Sequence, residues 1–400
     1  MAAATTILDR FLPADQALPP QSPLVSAVET VISQAWGFPR VIHHNPAPNP
    51  VSLDRNYFAH VATHLTEYVV AEKSDGVRYL MVLGTHDQKG FCVLVNRKMQ
   101  MFEVPIYANA EYFRGSVMDG EMVLDSTDAG QERQRFLVFD LVALKGESRV
   151  HAPWTQRHQE YFQALDLEGK DLLDCDPASW ETLAFEWAAT KDKVVCLGNR
   201  WALQFSPKPV VQLINVGSLW RSLHQLRHKS DGLVLTRTTA PIGTGTDSNL
   251  LKWKECHTLD LLVQASYAKG KWTYQLLFQH GDQLADCSQV PLKIGERTYY
   301  LQLANNPVLT LTSQYFAELH KATFTLLGEC ACVQDPAQPI VRCSVLKWRK
   351  DKSTPNNVTV VQHTLRNIAD NVSIDALLNL TNQALYPIVP PPPQPQGARQ

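Results

Sequence analysis

Residues 71–79 read Ala-Glu-Lys-Ser-Asp-Gly-Val-Arg-Tyr and run directly into Leu80-Met81-Val82-Leu83, which places Lys73 in a loop entering a strand. A free lysine titrates near ~10.4 and is almost wholly charged at neutral pH, whereas an amine attacks phosphorus only when unprotonated. A nucleophilic Lys73 therefore needs burial or neighbouring cations, and Arg78, Arg97, Lys252 and Lys254 are the candidates the chain supplies. Gly76 would let backbone approach a ligand closely, and the Arg78 fork suits ribose or phosphate oxygens. Standing alone, Lys-x-Asp-Gly is a common charged surface turn.

The succession of motifs along the chain is far less common than that turn. Lys73-Ser74-Asp75-Gly76-Val77-Arg78 precedes Asp119-Gly120-Glu121, Phe136-Leu137-Val138-Phe139-Asp140, Ser230-Asp231-Gly232-Leu233, Lys252-Trp253-Lys254 and Arg349-Lys350-Asp351-Lys352-Ser353-Thr354-Pro355-Asn356. This series resembles the lysine-dependent covalent nucleotidyltransferases. Within them it is most similar to the messenger-RNA capping guanylyltransferases, whose closing motif is Arg-x-Asp-Lys-x-x-Pro-Asn. The resemblance covers about residues 50–385.

A chain of 400 residues, 44% hydrophobic, has room for two or three packed domains. With 37 basic against 39 acidic residues, any nucleic-acid contact must come from a local cleft and not from a global basic field. The eight cysteines form no Cys-x-x-Cys pair, and Cys330-x-Cys332 reads as strand alternation, which fits free thiols in a reducing compartment. No basic segment precedes an apolar core at the N-terminus and no run of 18 apolar residues occurs, so neither secretion nor a membrane association is expected.

Residues 1–50, rich in Ala and Pro, read as an extension and linker, with a helical candidate at Ser26–Trp36. A nucleotidyltransferase domain of α+β class spans 51–255: a helix through Leu65, a strand at Val69–Ala71, and short apolar runs separated by turns from Tyr79 to Leu141 that predict antiparallel sheets. Helical patterns follow at 156–167 and 177–190. Five strands between Asp260 and Leu346, with a helix near 314–321, predict an oligonucleotide-binding β-barrel over 256–364. A Ser373-capped helix within 365–386 is placed against the first domain, and 387–400 form a proline-rich tail.

The resemblance implies a role for each motif residue. Lys73 is the nucleophile. Glu121 contacts ribose and, with Asp231, holds magnesium or manganese, since two carboxylates plus substrate phosphates suit a cation that keeps several waters. Phe139 stacks on guanine, where the plainer reading is core packing. Lys252 and Lys254, two apart on one strand face, neutralise the α-phosphate; by themselves they would read as guards of an edge strand. Arg349, Asp351 and Lys352 engage the β- and γ-phosphates, where the alternative is a solvated basic loop. Ser74 and Lys208 (in Ser206-Pro207-Lys208-Pro209) supply donors toward guanine O6, a position where adenine carries an amino group. Arg97 adds a phosphate or ribose contact. The chain departs from the family at Glu255, where a proline is usual, at Cys343 in place of a tryptophan, and at Lys347 in place of an arginine, which exchanges a fork for a point charge.

These residues imply a GTP:RNA guanylyltransferase that takes GMP from GTP onto Lys73 and passes it to a 5′-diphosphate RNA end. The implied partners are an RNA triphosphatase, a cap methyltransferase and a phosphorylated RNA polymerase II tail, in the nucleus if the protein is cellular and in the cytoplasm if viral. An ATP-dependent polynucleotide ligase of the same superfamily and an inactive RNA- or polymerase-tail-binding scaffold are the alternatives; the intact set of charged motif residues weighs against the scaffold.

Overall fold

Short apolar runs become strands because their branched and aromatic side chains alternate between two faces that both find cover. The computed structural model describes residues 12, 14–126, 130, 132–167, 180–196, 203–307, 321–335, 337–349, 352–370 and 372–385. Through the first domain the strands are β1 (Asn49–Ser52), β2 (Tyr68–Ser74), β3 (Val77–His86), β4 (Lys89–Asn96), β5 (Met101–Glu103), β6 (Ile106–Tyr107), β7 (Ser116–Ser126), β8 (Glu132–Leu144), β9 (Glu147–Ser148), β10 (Val195–Cys196), β11 (Leu203–Pro207), β12 (Val211–Gln212), β13 (Ser230–Arg237) and β14 (Thr246–Lys254). Helices α1 (Pro23–Trp36), α2 (Arg55–Thr63), α3 (Trp154–Leu165), α4 (Trp180–Thr190) and α5 (Val216–Ser222) lie among them.

One large sheet has the order β1-β14-β13-β2-β12 and the other β11-β8-β7-β3-β4-β5, with β9 paired to β8, and β6 and β10 form a separate antiparallel pair. The chain passes from the first sheet to the second through the Asp75–Gly76 turn between β2 and β3. Strand β3 shows why its apolar run is unbroken: Tyr79, Met81 and Leu83 pack with Tyr161 of α3 and Phe205, while Leu80 and Val82 pack with Val28, Ile32 and Trp36 of α1. A strand covered on both faces cannot alternate with polar residues.

The expectation that residues 1–50 are an extension and linker does not hold for 23–48. Helix α1 starts on Pro23 after Ser22 and ends on Gly37, whose φ of 73° lets its N–H return to Gln34 O. Val28 and Ile32 are fully buried in the core shared with β3 and β4. The helix covers the candidate at Ser26–Trp36; what the proline-rich flanks hide is its packing into the core.

The second domain comprises β15 (His257–Ala268), β16 (Lys271–His280), β17 (Gln283–Asp286), β18 (Leu292–Ile294), β19 (Arg297–Leu303), β20 (Thr323–Gln334) and β21 (Ile340–Trp348) in the order β17-β16-β15-β20-β21-β19-β18. All its pairings are antiparallel except β19 with β21, and β19 returns to approach β16, curling the sheet into the oligonucleotide-binding form. The helix expected at 314–321 and the proline tail lie outside the described residues.

Only Glu255 and Cys256 separate β14 from β15. The chain then crosses back: α6 (Val358–Asp370) puts Val361 and Leu365 into the barrel core, whereas α7 (Ile374–Leu385), capped by Ser373 Oγ accepting from Ala376 N at 3.1 Å, puts Leu377 into the core of β2, β13 and β14. Trp253 Nε1 donates to Val372 O at 2.7 Å, and Arg55 Nε to Asp370 O at 2.7 Å.

Arg157 on α3 is 1% exposed and holds Asp140 of β8 with both ends of its fork, at 2.7 and 3.0 Å, while a further N–H reaches Ala240 O at 2.7 Å. Removing one member strands a buried charge. Arg157→Ala is expected to cost about 3–5 kcal/mol in urea unfolding; a loss below about 1 kcal/mol would show that the pair does not anchor α3.

Candidate functional site

Lys73 is the penultimate residue of β2, not a loop residue: β2 runs through Ser74, and the turn begins at Asp75. The reason is pairing. Ser230 of β13 faces Ser74 and Leu233 faces Glu72, so Asp231 and Gly232 together oppose Lys73 in a β-bulge. The bulge turns the Asp231 carboxylate onto the Lys73 side, where Oδ1 lies 2.8 Å from Lys73 Nζ and Oδ2 lies 2.6 Å from Lys254 Nζ. Gly232 has φ 148°, and a Cβ there would stand 2.0 Å from Trp253 O, so only glycine permits the bulge against β14. Lys252 stands one pleat along on the same face. Burial, and then the like charges of Lys254, Lys73 and Arg97, hold its amine below the ordinary lysine value.

Gly76 makes its close approach to protein and not to a ligand. A Cβ there would lie 2.2 Å from Met122 O and 2.9 Å from Glu121 Cγ, so the turn lies flat on β7. The Gly76 N–H in turn bonds Glu121. Burial pushes the Glu121 carboxyl up, against the opposing pull of Lys208, Lys73 and Arg78, which places this carboxylate among all three cations. The Arg78 fork is taken largely by protein: Nε donates to Asp119 Oδ1 at 2.8 Å, Nη2 to Asp119 Oδ2, and Nη1 to Pro48 O at 2.6 Å. Arg97 is exposed and within electrostatic reach of Arg78, Glu121 and Asp119.

Phe139 owes its position to a second bulge. Asp119 faces Asp140 and Gly120 faces Val138, leaving Phe139 without a cross-strand partner. It is half-buried, with the Arg78 guanidinium 5.5 Å from its ring centroid. Plain core packing, with the neighbouring Phe136 and Val138 buried, would have closed it in.

On the opposite face of β2, alternation brings Glu72 and Ser74 together in a buried polar network, of which Glu72 and His228 were not singled out from the sequence. Ser74 Oγ donates to Glu72 Oε1 at 2.6 Å, Lys208 Nζ donates to Ser74 Oγ at 2.7 Å and lies 3.0 Å from Glu72 Oε1, and His228 joins Glu72 Oε1 at 3.1 Å to Asp125 Oδ1 at 2.9 Å. Burial alone would raise Glu72, but Lys208, His228 and Ser74 outweigh it and lower the carboxyl to about 2. Burial likewise opposes the charge on His228, yet its bonds to Asp125 and Glu72 raise it to about 9. The available signal was a pair of polar residues, Glu72 and Ser74, at period 2 beside Lys73.

The barrel residues are not brought onto Lys73. Arg349 Nη1 lies 3.0 Å from Asp260 Oδ1 and 2.9 Å from Glu329 Oε2, Lys352 pairs with Asp260, and Asp351 lies outside the described residues. Lys347 pairs with Glu329 at 3.1 Å, and Cys343 Sγ packs 3.6 Å from Cys332 Sγ in the barrel interior. Between the domains runs a cleft of about 770 Å³, whose walls include Asp231, Lys254 and Glu255 on one side and Glu329 and Lys347 on the other. Among the described residues no group of three or more His, Cys, Asp or Glu side chains is arranged to hold a metal unaided.

Two family models match the chain: "mRNA capping enzyme, catalytic domain" over residues 21–256 and "mRNA capping enzyme, C-terminal domain" over 252–378. A Neurospora crassa protein named mRNA-capping enzyme subunit alpha is 29% identical over 367 residues, covering 84% of this chain and 83% of that protein. Its Schizosaccharomyces pombe namesake is 27% identical over 351 residues, covering 83% and 79%. Among solved structures, a mycobacterial DNA ligase D complexed with ATP and MES aligns over 77% of this chain and 96% of its own, at 15% identity and a TM-score of 0.39.

The His228 pair gives the fold a pH signature. A histidine raised from 6.5 to about 9 contributes stability that is complete below pH ~6.5 and lost as pH rises through 9. Between about pH 6 and pH 9.5, wild-type stability in urea is expected to fall by on the order of 2–3 kcal/mol more than that of His228→Gln. Parallel pH profiles for the two proteins would remove the assigned charge from His228.

Proposed function

Because this chain belongs to the mRNA capping enzyme family, we propose that it carries out the guanylyl transfer of cap formation with Lys73 as its covalent nucleophile. The observation that carries the reading is the Lys73–Asp231–Lys254 bridge, which sets an amine among fixed cations at the end of a strand. In the first half-reaction the Lys73 nitrogen forms a bond to the α-phosphorus of GTP and the bond from that phosphorus to the β-bridging oxygen breaks, so pyrophosphate leaves. In the second, a terminal oxygen of a 5′-diphosphate RNA end attacks the same phosphorus, the N–P bond breaks, and a 5′-to-5′ triphosphate linkage results.

The residues divide this work by position. Lys252 and Lys254 oppose the charge that builds on the α-phosphate, and they do so from a rigid strand, so little reorganisation accompanies the reaction. Lys73 can attack only after its pair with Asp231 is broken. Phe139, freed from the ladder by its bulge, offers a half-buried face for a base. Glu121 and Asp231 fit a magnesium or manganese ion: two oxygen-bearing side chains, one of them a carboxylate whose burial disfavours its charge, suit a cation that completes its shell with phosphate and water. Such an ion supplies charge neutralisation to the phosphates.

Arg349 and Lys352, at the end of the barrel, are the groups for the β- and γ-phosphates. Their use requires the barrel to close through the Glu255–Cys256 and 370–373 crossings and to reopen for RNA. The 5′-diphosphate end must be made by an RNA triphosphatase and the cap methylated afterwards; these steps fall to partner proteins, as does any docking on a phosphorylated polymerase tail. The site of action is the nucleus.

Incubation with α-labelled GTP and magnesium is expected to leave covalent label on the protein that is lost in hot acid and in hydroxylamine but survives alkali, as a phosphoamide does, absent from Lys73→Ala and abolished by EDTA. The label is expected to move to 5′-diphosphate RNA and not to 5′-monophosphate ends. Labelling by ATP in place of GTP, with sealing of nicked duplexes, would instead support a ligase.

A further inference from the structure

The buried network behind Lys73 is loaded asymmetrically. Oε1 of Glu72 takes the Ser74 hydroxyl, the Lys208 ammonium and His228, at 2.6, 3.0 and 3.1 Å. Oε2 of the same carboxylate is buried and has no hydrogen-bond partner, although Glu72 is 3% exposed. A charged oxygen shut away from water with nothing donating to it is costly. Lys208, 5% exposed, spends one N–H on Ser74 and directs a second at Glu72, which leaves a third. Ser74 gives its only proton to Glu72, so it has none for a ligand.

The network thus ends in one ammonium N–H beside one carboxylate oxygen, on groups 3.0 Å apart. The hydrogen-bonding edge of guanine carries an acceptor, O6, beside two donors, N1–H and the 2-amino group. Adenine carries a donor beside an acceptor, the reverse order. Lys208 donates at 2.7 Å to Ser74, the residue next after Lys73 in β2, so the network begins one residue from the amine that takes the α-phosphate. We propose that Glu72 is a specificity-determining residue for the guanine base, its Oε2 accepting from N1–H and the 2-amino group while the third N–H of Lys208 donates to O6. His228, tied to Asp125 and the Asp125–Arg135 pair at 2.6 Å, positions the carboxylate by occupying Oε1. Adenine would meet donor with donor at O6's place and acceptor with acceptor at N1, and so lose both bonds.

This inference rests on GTP being the donor nucleotide, and inosine triphosphate separates the two claims. It keeps O6 and N1–H and lacks only the 2-amino group. Rates of covalent labelling at subsaturating GTP and ITP give the ratio of kcat/KM values. The wild type is expected to favour GTP over ITP by about tenfold, the worth of a hydrogen bond to a charged acceptor. Glu72→Gln, of nearly the same shape, is expected to slow both nucleotides through the lost N1–H bond but GTP about tenfold more, bringing that ratio close to one, with its thermal unfolding checked in parallel.

A wild type that labels with GTP and with ITP at equal rates overturns the assignment without any variant. So does a folded Glu72→Gln that slows both nucleotides by the same factor, the result a purely structural clamp would give. A wild type that takes no label from GTP at all overturns instead the guanylyltransferase reading on which the inference stands.

Discussion

The Asp231 carboxylate bridging two lysines from neighbouring strands is the constraint on which the site depends. Three adjacent strands, β2, β13 and β14, each contribute one group at one level of the sheet, and they meet only because β13 carries one residue too many opposite Lys73. A regular ladder would have set Asp231 out of register with the Lys73 face. Gly232 makes the irregularity possible, since any side chain there would run into Trp253 O. The Asp-Gly of the sequence is therefore a single geometric unit: the glycine admits the bulge, and the bulge aims the acid.

Phe139 repeats this device on the other sheet. The bulge opposite Asp119–Gly120 takes the phenyl ring out of the cross-strand sequence and sets it beside Arg78. Gly120 serves it much as Gly232 serves Asp231: a Cβ there would lie 2.6 Å from the Phe136 ring and 2.7 Å from Leu137 O. Bulges increase local twist and re-aim side chains without breaking the sheet.

Much of this was legible in the chain. The apolar runs at Tyr79–Leu83, Phe91–Val95 and Phe136–Leu141 all fall inside observed strands, and the helical pattern at 156–167 overlaps α3. Charged motif residues were legible because Lys-x-Asp-Gly, Asp-Gly and Lys-x-Lys stand next to long apolar stretches. Three features were hidden for physical reasons. The burial of helix α1, but not its existence, was masked by flanking prolines, although proline at a first helical position is favourable and says nothing against burial. The strand position of Lys73 was masked because β2 ends in the polar residues Glu72, Lys73 and Ser74, a sequence that looks like a loop until Lys208 and His228 satisfy one face and Asp231 the other. The pairing of Arg349 with Asp260 and Glu329 links residues 89 and 20 positions apart, a separation no local pattern reports.

That last pairing bears on how the two domains divide the chemistry. Arg349 and Lys352 are held by carboxylates of their own barrel, one of which, Glu329, lines the cleft that Asp231 and Lys254 also line. For a phosphate to claim them it must replace Asp260 and Glu329, which exchanges one charge-assisted set of bonds for another and leaves the net gain small. A small difference suits a step that must reverse in every cycle, because a barrel bound too firmly to phosphate would not reopen. The two-residue link at Glu255–Cys256 and the return crossing between α6 and α7 restrict the motion in the same sense. Each end of α6–α7 is fixed to a different core, Leu365 in the barrel and Leu377 behind β13, so the two domains are tied by this helix pair as well as by the link. For the closure proposed above, tethering at two points would hold the local concentration of Arg349 and Lys352 high while the competing carboxylates leave their engagement weak.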